Sequence, residues 1–133
     1  MHKAFVAQFE ITARDPDMLG RFYALLFGWR LIPDRADAGN LAVMTADSNG
    51  IGGVIRGASN DNFGGVKLTV EVDDVLENLC YAEELGGRII ELPHEIISAG
   101  RQATVASFAD PEGNRVGLSH GSQKLTSTPE RPA

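Results

Sequence analysis

Five polar side chains recur at alternate positions of two otherwise apolar stretches: Gln8, Glu10, Lys67, Thr69 and Glu71. Alternation of this kind is typical of a strand with one polar and one apolar face. A carboxylate and an ammonium that share a polar face can bind an anion or transfer a proton. Glu10 and Lys67 are therefore the candidate catalytic pair, with Glu10 as a base and Lys67 as an anchor for an anionic ligand.

The same two charges have a structural interpretation. An ion pair between Glu10 and Lys67 can close a polar surface without binding a ligand, and such pairs are common in proteins. Gln8 has a similar ambiguity, because its amide can bind a ligand or satisfy Lys67. The sequence leaves both interpretations open.

Other reactive residue types are sparse. His94 and Glu95 are neighbours in a predicted loop, and adjacent residues of an extended chain face opposite ways, which is weak support for a metal site. No order or spacing indicates a Ser-His-Asp or Cys-His pair. The single cysteine, Cys80, excludes an intrachain disulfide. It falls among apolar residues of a helical pattern, so we expect it to be buried.

Composition narrows the class of protein. The 133 residues, of which 43% are hydrophobic, suffice for one compact domain. The net charge is −6 and no basic run is present, which argues against nucleic acid as a partner. No apolar run approaches the roughly 18 residues of a membrane span. We expect a cytoplasmic protein that contacts neither nucleic acid nor membrane.

Caps, turns and periodicity predict the elements that position these residues. Asp15, followed by Pro16, predicts the start of a helix that continues over Met18 to Phe27 and ends at Gly28. The predicted strands of this half are Phe5 to Thr12, Trp29 to Pro33, Leu41 to Ala46 and Ile51 to Arg56. A turn over residues 47–50 and a linker over residues 57–65 complete it.

The pattern then restarts with a strand, a capped helix and further strands. The pair Asp73-Asp74 caps the helix, and Gly86-Gly87 end it. The predicted elements are a strand over Val66 to Val72, a helix over Val75 to Leu85, strands over Arg88 to Leu92 and Gln102 to Phe108, a loop over Pro93 to Gly100, and a turn at Asp110 to Asn114 that leads into a last strand. Residues 121–133 lack apolar periodicity, so we predict a flexible tail.

The two halves are related by an internal repeat. Residues 21–32 match residues 79–90 at an offset of 58, and at the same offset Asp15 meets Asp73 as a predicted cap. The repeat predicts an α+β fold of two tandem βαβββ modules, residues 5–57 and residues 65–120. Two such modules would form a curved mixed sheet around a cleft lined by their polar strand faces.

Six short motifs carry a family resemblance. They are Phe9-Glu10-Ile11, the run from Arg21 to Trp29, Gly50 to Val54, Val70 to Val75, Leu85-Gly86-Gly87, and Phe108 to Asn114. In their order and spacing they resemble the glyoxalase / bleomycin-resistance / extradiol-dioxygenase group, the vicinal oxygen chelate superfamily. The resemblance covers residues 5–120. It implies paired βαβββ modules around a cleft, and commonly a homodimer, sometimes built by exchanging modules.

The resemblance also implies where a metal would be held. Enzymes of this superfamily usually bind a divalent metal with His and Glu side chains, at positions that fall near Gln8, Gly53 or Val54, Lys67 and Gly117. Of these residues only Gln8 offers an oxygen ligand, whereas three or more His, Glu, Asp or Cys ligands are the rule for a transition metal. The sequence therefore departs from the metalloenzyme pattern, and we expect no metal cofactor.

Three functions are compatible with this sequence. The first is metal-free binding of a small organic molecule, for sequestration or resistance, by Gln8, Glu10, Lys67, Thr69, Glu71 and Gly117. Small residues at Gly53, Ala106 and Gly117 favour an open cleft. The second is a glyoxalase-like lyase or isomerase, or a dioxygenase-like enzyme, that uses Glu10 and Lys67 or a relocated metal set of Glu10, Glu71 and His94. The third is a non-catalytic dimeric interaction subunit. We rank them in this order.

Overall fold

The computed structural model describes residues 4–34, 39–45, 50–57, 65–98 and 101–124. The predicted turn over residues 47–50, the linker and most of the predicted tail fall largely outside these ranges. The elements are β1 (Phe5–Ala13), α1 (Pro16–Phe27), β2 (Arg30–Pro33), β3 (Leu41–Met44), β4 (Gly52–Gly57), β5 (Gly65–Glu71), α2 (Val75–Glu84), β6 (Arg88–Ser98), β7 (Arg101–Ala109) and β8 (Arg115–Lys124). The order β-α-β-β-β thus occurs twice, which confirms the predicted α+β fold class of two βαβββ modules.

The chain divides into two compact units. Residues Val6–Leu68 form one, here called the N-terminal unit, and Thr69–Ala133 with Met1–Phe5 form the other, the C-terminal unit. The division falls inside β5, not in the predicted linker over residues 57–65. The first half of β5 belongs to the N-terminal unit, where its Lys67 contacts Glu10 of β1.

In the N-terminal unit the strands lie in the order β2-β3-β4-β1. β1 pairs with β4 in parallel, and the β2–β3 and β3–β4 pairs are antiparallel, so the sheet of this unit is mixed. One sheet face packs against α1 through a core of Ala13, Leu41, Val43 and Ile55, with Phe9, Ile11, Leu19, Tyr23, Trp29 and Leu31 packed against it. Helix α1 therefore covers the face that carries the odd-numbered side chains of β1.

The ends of α1 are confirmed as predicted. Asp15 is the N-cap, and its Oδ1 accepts a hydrogen bond from the Met18 amide at 3.1 Å. Pro16 occupies the first turn, where its missing amide hydrogen costs nothing. Gly28 ends the helix with a φ of 75°, the left-handed conformation that glycine adopts without a Cβ penalty.

In the C-terminal unit the strands lie in the order β5-β8-β7-β6. Helix α2 covers a core of Val72, Val75, Leu79, Ala106 and Leu118, with Val70, Ile89 and Phe108 packed against it. The predicted turn before β8 is confirmed. Asp110 accepts hydrogen bonds from the Asn114 side chain and amide and from the Glu112 amide, and these bonds lower the pKa of its carboxyl group.

The predicted cap of the second helix, the pair Asp73-Asp74, is confirmed for Asp74 and is wrong for Asp73. The N-cap of α2 is Asp74, not the Asp73 that the repeat aligned with Asp15. Asp74 has the extended backbone of a cap residue, and its Oδ1 accepts a hydrogen bond from the Glu77 amide at 3.0 Å. The repeat is therefore one residue out of register at this point, because capping depends on which carboxylate reaches the third amide of the helix.

We expect Asp74→Ala to lower the free energy of unfolding by about 1 kcal/mol, because the Glu77 amide loses its acceptor. Asp74→Asn should retain most of the stability, since an asparagine oxygen caps as well. Chemical denaturation of the three proteins measures both changes. Equal losses in the two variants would show that the cap does not account for the effect.

Two further boundaries differ from the prediction. Strand β6 continues to Ser98 through the predicted loop at Pro93, and its register with β7 shifts between Glu91 and His94. Proline is tolerated there because β6 is the last strand in its order and its outer amides need no partner. Strand β8 runs to Lys124, four residues into the predicted tail, because its backbone continues to pair with β7. In the part of the chain that the structure describes, neither helix has the length and apolar character required to cross a membrane.

Candidate functional site

The predicted polar residues of the N-terminal unit lie on the sheet face opposite α1. Phe9 and Ile11 of β1 pack against the core under α1, so Gln8 and Glu10, which alternate with them, face the other way. In the parallel register Gln8 lies opposite Gly52 and Glu10 opposite Val54 of β4. We call the side that carries Gln8, Glu10, Arg56 and Lys67 the polar face.

Glu10 is the centre of the polar face, because both of its oxygens face cations. Its Oε2 accepts a hydrogen bond from Arg56 Nε at 3.1 Å, and its Oε1 lies 3.8 Å from Lys67 Nζ. The Glu10 side chain is 14% exposed, that of Lys67 23% and that of Arg56 34%. The predicted pair of Glu10 and Lys67 is therefore assembled, and much of it is removed from water.

Sequence reasoning missed Arg56. It lies opposite Thr12 in the β1–β4 register, and it alternates with Ile55, which is fully buried in the core under α1. Arg56 therefore has to face the same way as Glu10. A sequence signal existed, since Arg56 is a lone cation at the end of an apolar strand, but only the parallel register shows that it reaches Glu10.

The predicted site residues of the C-terminal unit have different surroundings. Thr69 is buried. Glu71 Oε2 accepts a hydrogen bond from the Gly121 amide at 2.9 Å and lies 3.7 Å from His120 Nδ1. The same His120 nitrogen lies 2.9 Å from the Val72 carbonyl oxygen, so it donates to that oxygen. These contacts hold Glu71 against the end of β8, so the role of Glu71 in the structure is to stabilise this part of the sheet.

Small residues at Gly53, Ala106 and Gly117 were predicted to favour an open cleft. Gly117 pairs with Ser107, a fully buried residue whose Oγ donates a hydrogen bond to Glu91 at 2.8 Å. Ala106 instead belongs to the core under α2. A Cβ added at Gly53 would meet the ring of Phe9, on the α1 side of the sheet. The prediction that Gly53 and Ala106 help to open a cleft is therefore wrong, because both face a helix.

A groove of about 770 Å³ lies in the C-terminal unit beside α2. Its lining is rich in carboxylates and includes Ala4, Phe5, Glu71, Val72, Asp73, Asp74, Glu77, Asn78, Cys80, Tyr81 and Glu84. Of the predicted ligand-binding residues it contains only Glu71. Cys80 is exposed in this groove, which corrects the expectation of a buried thiol: on α2 the core side is taken by Val75 and Leu79.

His94 and Glu95 do not form a ligand pair. His94 Nδ1 lies 3.0 Å from the Leu92 carbonyl oxygen. Glu95 accepts hydrogen bonds from Gln102 at 2.7 Å and from Thr104 at 2.9 Å, and these bonds lower the pKa of its carboxyl group. Both residues lie on β6, and their contacts stabilise the β6–β7 pair.

The residues at the implied ligand positions do not fit a divalent metal. Lys67 brings a cation that faces Glu10, Gly53 has no side chain and its Cβ space holds the Phe9 ring, and Val54 is a buried hydrophobic residue. Within the described ranges, no three His, Cys, Asp or Glu side chains are grouped closely enough to hold a metal ion. Two members of the relocated set, Glu71 and His94, lie in the C-terminal unit, and each has a contact of its own there.

Comparisons with known proteins agree with this fold. The model of the glyoxalase-like domain family matches residues 8–119. No curated protein matches the chain. Similar solved structures include a glyoxalase/bleomycin resistance protein/dioxygenase superfamily member from Vibrio splendidus 12B01, at 12% identity and a TM-score of 0.62, with 90% of this chain and 98% of that chain covered. A hypothetical protein from Bacillus halodurans C-125 is similar at 12% identity and a TM-score of 0.69, with 95% and 100% covered.

A third similar structure is the methylmalonyl-CoA epimerase from Mycobacterium tuberculosis, at 14% identity and a TM-score of 0.65, with 91% of this chain and 90% of that chain covered. At such identities these likenesses concern the fold alone. The family match extends over most of the chain and includes both βαβββ modules. The chain belongs to the glyoxalase-like domain family.

Proposed function

We propose that this protein binds a small organic molecule on the polar face of its N-terminal unit, without a metal ion. One observation carries the proposal. The Lys67 ammonium lies 3.8 Å from Glu10 on the sheet face opposite α1, at a position where the resemblance places a metal ligand. A fixed cation there can bind a ligand directly, and it repels a divalent metal.

The contacts of Glu10 favour binding over catalysis. A general base needs a lone pair that points at the substrate proton. Oε2 of Glu10 already accepts the Arg56 hydrogen bond, and Oε1 faces the Lys67 ammonium. Glu10 therefore holds cations in place more readily than it removes a proton, and the enzyme remains the second choice.

A screen of protein purified without added metal tests the proposal. Elemental analysis should give far less than one metal ion per chain. In a thermal-shift screen of small organic molecules, at least one compound should raise the melting temperature, and EDTA should leave that shift unchanged. A stoichiometric metal, or a shift that EDTA removes, would contradict metal-free binding. A broad library without any stabilising compound would contradict the binding function itself.

Lys67→Met locates the site. We expect it to weaken every stabilising compound at least tenfold, a loss of the size found when a charged hydrogen-bond partner is removed. Arg115→Met is the matched control, since it removes one exposed cation from β8 and leaves the polar face intact. Isothermal titration of both variants gives the affinities. If both variants weaken binding equally, general electrostatics and not Lys67 would explain the effect.

A further inference from the structure

The two oxygens of Glu10 are not equally engaged. Arg56 Nε donates a hydrogen bond to Oε2 at 3.1 Å, whereas Lys67 Nζ lies 3.8 Å from Oε1, which is beyond hydrogen-bonding distance. Arg56 thus fixes the carboxylate, and the carboxylate attracts the ammonium without accepting a hydrogen bond from it.

The N–H groups of the Lys67 ammonium are consequently available to a ligand. A lysine ammonium has three N–H donors. No residue that the structure describes accepts a hydrogen bond from them, although only 23% of this side chain is exposed. Every fully buried side-chain nitrogen or oxygen that the structure describes has a hydrogen-bond partner, so the Lys67 nitrogen, which has none, stays open to solvent and can be reached by a ligand oxygen.

The charges on the polar face determine which kind of ligand oxygen binds best. A charge-assisted hydrogen bond from an ammonium to an oxyanion is shorter and stronger than one to a neutral oxygen. A cationic ligand would approach a face that already carries Lys67 and Arg56, and it would find the Glu10 carboxylate shared between them. An anion therefore complements this face better than a neutral molecule or a cation does.

We propose that the ligand is a small organic oxyanion, such as a carboxylate, that binds directly to the ammonium of Lys67. This inference rests on the proposed function and narrows it to one class of ligand. Glu10 is then a competitor for the ammonium, because its own carboxylate lies 3.8 Å from the nitrogen that the ligand has to reach.

Matched sets of small molecules test the ligand class. Each set has a carboxylate, its primary amide and the corresponding amine: benzoate, benzamide and benzylammonium, or butyrate, butyramide and butylammonium. We expect the carboxylate of at least one set to bind at least tenfold more tightly than its amide, and the amine to show no binding. Lys67→Arg should retain the binding and Lys67→Met should lose it.

The affinity of the Glu10→Gln variant for the carboxylate is a second test, because the inference requires that it rise. Removal of a like charge from beside the ligand oxyanion should raise the affinity for the carboxylate at least about fivefold, the repulsion of two like charges about 4 Å apart in water, and by more at a half-buried site. If Glu10→Gln weakens the carboxylate instead, Glu10 binds the ligand and the inference is wrong. Circular dichroism and the melting temperature of each variant confirm that it is folded.

The outcomes separate the two proposals. Tighter binding of an amide or an amine than of its carboxylate, lost in Lys67→Met, would overturn the oxyanion inference and leave small-molecule binding on the polar face intact. No binding by any member of these sets, or by any compound of the wider thermal-shift library, would overturn both.

Discussion

Leu79→Ala is expected to lower the free energy of unfolding by about 2–5 kcal/mol, the range for truncating a fully buried leucine. Leu79 is 0% exposed and lies at the centre of the core between α2 and the strands of the C-terminal unit. The loss has two parts, the transfer of the side chain out of water and the cavity left behind. Against a total stability of about 5–15 kcal/mol for a domain, this change is large enough to unfold a substantial fraction of the protein near body temperature.

Leu76→Ala is the matched control, because it makes the same chemical change one turn earlier on the same helix. Leu76 is 55% exposed, so its truncation should change stability by no more than about 0.5 kcal/mol. Chemical denaturation of both variants compares them directly. Similar losses would mean that burial does not determine the effect, since alanine has the higher helix propensity at both positions, and that Leu79 is not at the centre of this core.

Local signals predicted the elements, because each depends on a few neighbouring residues. Asp15, Pro16 and Gly28 fix α1 through a cap, a preset φ and a left-handed end, and all three are confirmed. The Asp110–Asn114 turn is fixed in the same way by hydrogen bonds within five residues. Such signals survive in a single sequence because tertiary context has little part in them.

Features that depend on distant contacts were the ones that the sequence did not predict. Met18, Phe22 and Leu25 of α1 are exposed although they are apolar, and Cys80 is exposed although its helix is amphipathic. Apolar side chains extend around much of α1, so the sequence does not show which side meets the sheet. Helix periodicity states that a face is apolar, and only packing decides which face is covered.

The candidate site was predicted only in part, because it too depends on contacts between residues that are distant in the sequence. Alternation along β1 and β5 placed Glu10 and Lys67 on polar faces, and the structure brings these two together. Arg56 is separated from Glu10 by 46 residues, and their contact depends on the parallel β1–β4 register. Two parallel strands are not joined by a tight turn, so the sequence does not indicate their register. For this reason the contact of Arg56 with Glu10 was not predicted.

Gly53→Ala is the second change with a large expected effect, a loss of about 1–3 kcal/mol from overpacking. The added Cβ would lie within 2.6 Å of Phe9 Cζ. That ring cannot move freely, because it packs against Trp29 with ring centroids 5.7 Å apart and borders the core under α1. Thermal or chemical denaturation measures the loss, and the fluorescence of Trp29, the single tryptophan, reports any displacement of the ring.

Phe9→Leu provides the compensating change. A smaller side chain at position 9 makes room for the new Cβ, so the double variant should be more stable than the sum of the two single losses predicts. The coupling energy in such a cycle between contacting residues is about 0.5–3 kcal/mol. Additive losses would show that Gly53 is restricted by its backbone and not by the Phe9 ring.

Gly53→Ala also tests which side of the sheet binds the proposed ligand. The resemblance places one metal ligand at Gly53 or Val54, and the Cβ direction of Gly53 leads to the α1 side, away from Glu10 and Lys67. Gly53→Ala should therefore reduce stability, and the remaining folded protein should keep its affinity for the ligand. Unchanged stability with lost affinity would place Gly53 on the ligand side and would refute the assignment of the polar face.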